Sequence, residues 1–287
     1  MNHFTIVSIT FVVMNINFEG KRILVTGAGR GIGKELALRL SNYGGQVIAL
    51  SKTKRNLEEL HAEDPRIHIV CVDLNDWNAT RKAVENVLPI DLLVNNAGVA
   101  RLNAFFDATE EDFDVTFAIN VKSMLNVSQV VAKDLIERKV GGSIVNVSSQ
   151  ASQAALLDHT VYCSSKGAVD MLSKTMALEL GPHNIRVNTV NPTVIMTEMG
   201  KLGWSDPNKA QTMLNKIPLG RFGEVSEVID AIVYLLSDRS SMINGVALPV
   251  DGGFLAINKS RNTRVNTTIR RRNRIRRRKA SLKQLNS

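Results

Sequence analysis

The sequence predicts an α/β protein: a doubly wound, mainly parallel sheet with helices on both faces. Three observations predict it. Short apolar runs rich in β-branched residues alternate with segments whose apolar positions recur at helical spacing. A glycine-rich turn lies between the first run and the first helix, and later runs end in hydroxyl, amide or small residues.

Residues 21–26 form the first predicted strand, Gly27 to Gly33 a turn, and a helix starts at Lys34. Gly27, Gly31 and Gly33 let the backbone approach a pyrophosphate, while the first amides of the helix bind its charge. Such a turn is weak evidence alone, and stronger at the head of a βα alternation. The second strand, 46–50, runs into Ser51, Lys52 and Thr53, where an NAD site usually carries a carboxylate for the ribose hydroxyls. None is present. Lys52, with Arg30 in the glycine turn, offers positive charge to a 2′-phosphate, so NADP(H) is expected over NAD(H); the alternative is a pair of solvated surface cations. The third strand, 67–72, leads to Asp73 and Leu74, where the carboxylate either accepts from an adenine amine or caps a helix. The fourth, 91–94, ends in Asn95, Asn96, Ala97 and Gly98, which suit packing against a cofactor.

From Thr109 to about Lys139 runs a long amphipathic segment in which Asn120, a poor interior helix residue, marks a local kink or a bound water. A strand over 143–149 follows and places Ser149 at its carboxyl end. Tyr162 then opens a helix with apolar positions 168, 169, 172, 176 and 180, ending near Gly181 and Pro182. Tyr162 and Lys166 are i and i+4 on one face of it. The sixth strand, 185–190, stops at Asn191, Pro192 and Thr193. Beyond it the alternation lapses: Met196, Met199, Leu202, Trp204, Met213 and Leu214, with Pro207 and Pro218, suggest a short helical lid over a pocket. A helix over 224–237 and a last strand over 246–250 complete a region that ends near Ile257.

The chemistry concentrates between Ser149 and Lys166. A tyrosine with a pKa of about 10 is a reluctant proton donor and acceptor near neutrality. A cation one turn away is expected to draw it toward the working pH. Reducing a ketone builds charge on its oxygen, which a serine and a tyrosine hydroxyl can stabilise by donating to it. By itself Tyr-x-x-x-Lys is also met wherever a helix has an exposed lysine and a half-buried tyrosine. No metal-ligand spacing is present.

Composition narrows the class. The net charge of +9 belongs to the carboxyl end, where residues 258–287 hold twelve Lys or Arg and no acid, leaving 24 basic against 27 acidic residues elsewhere. Two cysteines, Cys71 in a predicted buried strand and Cys163 beside Tyr162, give no disulfide framework and fit a reduced, cytoplasmic protein. The apolar segment 4–13 is too short to span a bilayer as a helix and lacks a secretory cleavage pattern; membrane association is its minority reading. The basic run 270–279 suits a nucleic acid, an import receptor or an anionic surface, against the plainer reading of a solvated tail.

Taken together, the glycine turn after Thr26, Asn95 to Gly98, Asn120, Ser149, Tyr162 with Lys166, and Asn191 to Thr193 resemble the short-chain dehydrogenase/reductase family over about residues 18–255. The resemblance implies one Rossmann-like domain of about seven parallel strands over 18–257, with 1–17 an extension and 258–287 a basic, unfolded tail, and usually a homotetramer. It implies a catalytic tetrad of Asn120, Ser149, Tyr162 and Lys166. Cofactor contacts would come from Gly27, Arg30, Gly31, Ile32, Gly33, Ser51, Lys52, Thr53, Asp73, Leu74, Asn96, Ala97, Gly98, Tyr162, Lys166, Pro192, Thr193, Ile195 and Thr197. Stretches 70–77, 144–150, 161–167, 191–194 and 204–207 resemble the branch that reduces L-xylulose to xylitol and α-dicarbonyls such as diacetyl with NADPH. On that resemblance Ser149, Gln150, His159, Tyr162 and Trp204 face the substrate. Acyl-carrier or steroid ketones are the alternative substrates on the same scaffold.

Overall fold

The computed structural model describes residues 16–256. The predicted amino-terminal extension and basic tail, including the run 270–279, lie outside the described residues.

Seven parallel strands, β1 (Arg22–Thr26), β2 (Gln46–Ser51), β3 (His68–Cys71), β4 (Leu92–Asn95), β5 (Gly142–Val147), β6 (Ile185–Pro192) and β7 (Ala247–Val250), form one sheet in the order β3-β2-β1-β4-β5-β6-β7. The chain runs outward from β1 to β3, then returns to lay β4 beside β1, with Ile23 paired to Leu92. That reversal opens a crevice at the carboxyl ends of β1 and β4, where ligands of such sheets bind.

Both faces are covered, which is why the strands are almost continuously apolar. Alternate residues of β1 point to opposite layers: Ile23 and Val25 pack with Leu36 and Leu40 of α1 (Gly31–Asn42) and Ile232 of α9 (Val225–Leu236). Leu24 packs on the other face with Val131 and Leu135 of α5 (Ser123–Glu137) and Met176 of α6 (Thr160–Leu180). Fully burying a leucine of this kind contributes about 1.5–3 kcal/mol.

Four local differences from the sequence reading have physical causes. Helix α1 begins at Gly31 rather than Lys34, because the later glycines of the turn already form its first turn. The helices α2 (Lys54–Glu63) and α3 (Trp77–Glu85) have too few apolar positions for periodicity to reveal them; α2 buries only Leu57 and Leu60. Asp76, not Asp73, caps α3, accepting from Ala79 N at 2.9 Å, while Asp73 accepts from Asn75 N in a turn of its own. Cys71 is exposed, since β3 is an edge strand with only β2 beside it. The predicted segment from Thr109 is broken as expected: α4 (Glu110–Phe117) and α5 are joined by one π-helical turn, Ala118–Lys122, centred on Asn120. The segment expected to form a lid folds as α7 (Glu198–Gly203) and α8 (Pro207–Leu214).

Candidate active site

The glycine turn is held by the end of β4. Thr26 Oγ accepts from the backbone amides of Asn96 and Ala97, each at 3.1 Å, and Asn96 Nδ2 donates to the carbonyls of Thr26 and Gly27 at 3.0 and 3.2 Å. Gly27 adopts φ +66°, and a Cβ on it would stand 2.7 Å from Ala97 Cα. At Gly33 a Cβ would stand 2.4 Å from both the Gly27 oxygen and Asn96 Nδ2, so strand end and helix start touch through bare backbone. Gly29, which the sequence reading passed over, does the same against β2, where a Cβ would lie 2.9 Å from Ser51 Oγ; its place in the alternating run Gly27, Gly29, Gly31, Gly33 was the available signal.

These residues fit a nicotinamide dinucleotide. No side chain caps the start of α1, and its first turn has no acid, so its free amides face the crevice as an anion site. Ser51 ends β2, and Lys52 and Thr53 follow, both exposed. Neither Lys52 nor Arg30 has a carboxylate within 4 Å among the described residues. Asp73 is exposed and Leu74 buried at the end of β3. Across the crevice Pro192 ends β6, and Thr193 buries a hydroxyl that has no partner among the described residues, as a residue awaiting a ligand's polar group would. Ile195 is clamped by a bridge to Gly223, and Thr197 caps α7 while its methyl group stands 3.5 Å from where a Gly31 Cβ would lie. The segment leading into α7 therefore lies against the glycine turn.

The candidate tetrad converges in the same crevice. Ser149 lies two residues beyond β5 and starts a 3-10 turn, Gln150–Ser152, its Oγ accepting from Ala151 N at 3.1 Å. Helix α6 brings Tyr162 beside that hydroxyl, close enough for Ser149 to act on the phenol, and carries Lys166 one turn on, the ammonium 5.8 Å from the phenol ring centre. Lys166 Nζ donates to Val147 O at 2.9 Å. Asn120 Oδ1 accepts from Val99 N at 2.8 Å and its Nδ2 donates to Val99 O and Ser165 Oγ, both at 3.0 Å. That side chain is fully engaged in shaping the loop. A Cβ on Gly98 would stand 3.4 Å from Asn120 Oδ1 and 3.5 Å from Lys166 Nζ, so the loop after β4 runs close to both.

One electrostatic expectation is corrected here. Burial pushes the Tyr162 phenol up rather than down; the Ser149 hydroxyl draws it partly back, and Cys163 adds to the rise. Lys166 is the more perturbed in the useful direction: desolvation lowers it from 10.5 to about 8, partly opposed by the Asp170 carboxylate. The lysine is 5 % exposed, and its nitrogen bonds a carbonyl instead of the phenol, so burial outweighs the attraction the spacing suggested.

The substrate-side residues are gathered less tightly. Gln150 is buried with its Oε1 unpartnered among the described residues, and His159 precedes α6 with its ring 6.2 Å from that of Tyr162 and its Nδ1 paired to Leu157 O at 2.5 Å. Trp204 ends α7 and packs on Phe222, ring centres 5.5 Å apart, with Lys209 over its face.

The family model described as enoyl-(acyl carrier protein) reductase matches residues 27–255. The mouse (Mus musculus) L-xylulose reductase is 59 % identical over 243 residues, 85 % of this chain and 100 % of that protein. Carbonyl reductase [NADPH] 2 of Sus scrofa is 50 % identical over 85 % of this chain and all of its own length. Among solved structures, a gluconate 5-dehydrogenase from Burkholderia cenocepacia in complex with NADP and tartrate superposes with a TM-score of 0.80 at 30 % identity, covering 85 % of this chain and 98 % of that one. A sheet reversing at β1 and β4, a glycine turn stitched to the β4 end, and relatives matched over their whole length agree: the chain belongs to the short-chain dehydrogenase/reductase family of oxidoreductases.

Proposed function

We propose that the protein is an NADPH-dependent carbonyl reductase of the L-xylulose reductase type, converting L-xylulose to xylitol and reducing α-dicarbonyls such as diacetyl. The observation that carries this reading is the meeting of Ser149, Tyr162 and Lys166 in the crevice that the glycine turn lines. The names of the mouse and pig relatives support the substrate class.

Bound in the crevice, NADPH supplies the hydride. Ser149 and Tyr162 donate hydrogen bonds to the substrate oxygen, and a phenol kept protonated by burial is suited to deliver its proton to the alkoxide that forms. Lys166 keeps a positive charge beneath the phenol as it becomes a phenolate. Asn120 holds Val99 and Ser165, and thereby the wall behind Lys166. Arg30 and Lys52 would receive the 2′-phosphate, which favours NADPH over NADH. Gln150, His159 and Trp204 supply a polar and aromatic surround that suits a polyhydroxy ketone better than a steroid.

The test is a substrate panel of L-xylulose, diacetyl, an acyl-carrier ketone and a steroid ketone, each with NADPH and NADH. Turnover of L-xylulose and diacetyl with NADPH is expected; preference for the acyl or steroid ketone would replace this reading. We assign a homotetramer as the working form, since exposed Phe113 on α4 and Met171 and Leu178 on α6 offer apolar surface for another copy to cover. Light scattering of the purified protein decides it. No described helix is long and apolar enough to cross a membrane. Both cysteines are unpaired, which supports a reducing, cytoplasmic setting that fluorescence of a tagged chain would test.

A further inference from the structure

One buried carboxylate has no place in the chemistry above. Asp170 lies one helical turn beyond Lys166 on α6 and is only 8 % exposed, yet no lysine, arginine or histidine of the described residues stands within the 4 Å of an ion pair. A buried carboxylate without a close cation is expensive, so its retention asks for a compensating arrangement. Its hydrogen-bond partner is Asn191, at the end of β6. Asn191 Nδ2 lies 3.1 and 2.9 Å from the two Asp170 oxygens, 2.9 Å from Ser152 Oγ and 3.2 Å from Ser149 O. The orientation of that amide is set from its other end, where Asn191 Oδ1 accepts from Thr189 Oγ at 2.9 Å. Ser152 Oγ in turn donates to Ser149 O at 2.7 Å. The carboxylate, the amide and the turn that carries Ser149 thus form one connected group beneath the reacting hydroxyls.

The neighbouring elements bring to Lys166 the residues Val147, Gly98, Asn120 and, through Asn191, the Ser149 turn; the titratable groups are Tyr162, Cys163 and Asp170 on its own helix. Among the described residues, Asp170 is the carboxylate whose charge acts on it.

We propose that Asp170 is a positioning residue for the reduction: through Asn191 it fixes the turn that places Ser149 beside Tyr162, and as the carboxylate one helical turn from Lys166 it holds that side chain as the ammonium. This rests on the reductase reading and adds a residue to it. The opposing action of Asp170 on the desolvated lysine agrees with the geometry.

The experiment compares wild type with Asp170→Asn, which keeps the shape and removes the charge, and Asp170→Ser, which removes both; kcat, the pH profile of kcat/KM, NADPH affinity by fluorescence and melting temperature are read on each. For a folded variant, kcat for diacetyl should fall at least about tenfold while NADPH affinity stays within about threefold, and the alkaline limb of kcat/KM should move toward acid by about one pH unit. A role in packing alone would lower the melting temperature and leave the limb in place. An unmoved limb, an unmoved kcat, or failure of both variants to fold overturns the assignment. Wild-type turnover separates the two levels of the argument: a silent wild type removes the reductase reading and this one with it, whereas an active wild type matched by Asp170→Asn removes this one alone.

Discussion

The two walls of the crevice are built differently. On the glycine side the contacts are between backbones: Gly27 against Ala97, Gly33 against Gly27, and Thr26 bonded to two successive amides. On the lid side the chain is tied by the Ile195 to Gly223 bridge, and α7 and α8 leave Leu202 79 % exposed. A wall made of backbone has no room to vary and suits the invariant part of a ligand, its pyrophosphate. A wall made of side chains on short helices can be resurfaced without disturbing the sheet, and suits the part that distinguishes substrates.

If the walls bind separately, a change between them should stop chemistry while sparing the dinucleotide. Tyr162→Phe should lower kcat about 1,000-fold, within the usual range for a general acid, and leave NADPH affinity nearly unchanged by fluorescence titration. Comparable loss of both would break the distinction. On the glycine side, Lys52→Glu should lower kcat/KM for NADPH by about 10–100-fold, as loss of a charge-assisted contact does, with little change for NADH. Equal effects on the two cofactors would remove Lys52 from the phosphate site.

Glycine substitutions sharpen the contrast further. In Gly33→Ala the new methyl group meets the Gly27 oxygen, which predicts about 1–3 kcal/mol of lost stability in urea unfolding and about tenfold weaker NADPH binding. Gly203, in α7, has nothing within 4 Å of where a Cβ would lie, so Gly203→Ala should stabilise by about 0.5–1 kcal/mol and change kcat less than twofold. Acidity probes the middle of the crevice. Since burial brings Lys166 to about 8, it is charged below that pH and neutral above it. The kcat/KM for reduction should therefore fall as pH rises through about 8, a limb that Lys166→Arg would push beyond the measurable range.

Much of the fold was legible because it is written in local repetition. The strands are apolar runs, the Tyr162 helix shows its spacing, and the residues at strand ends announce where side chains meet. Helices α2 and α3 were not legible, for their buried stripes are two residues each. The candidate site was legible as a set of positions, less so as a set of interactions. Lys166 was visible as a neighbour of Tyr162, but not as a buried ammonium bonded to Val147 O. Nothing in the sequence around Asp170 shows its tie to Asn191, which β6 brings onto it.

The sequence by itself determined the order of the strands, the glycine spacing, the missing carboxylate after β2, and the one-turn separation of Tyr162 and Lys166. Each depends on backbone conformation or on neighbours within a few residues. Only the tertiary structure decided which way the phenol and the ammonium shift, where the amide of Asn191 is spent, and how the segment leading into α7 lies against the glycine turn. Those depend on how much water is removed around a group, and the residues that remove it come from elements far apart along the chain.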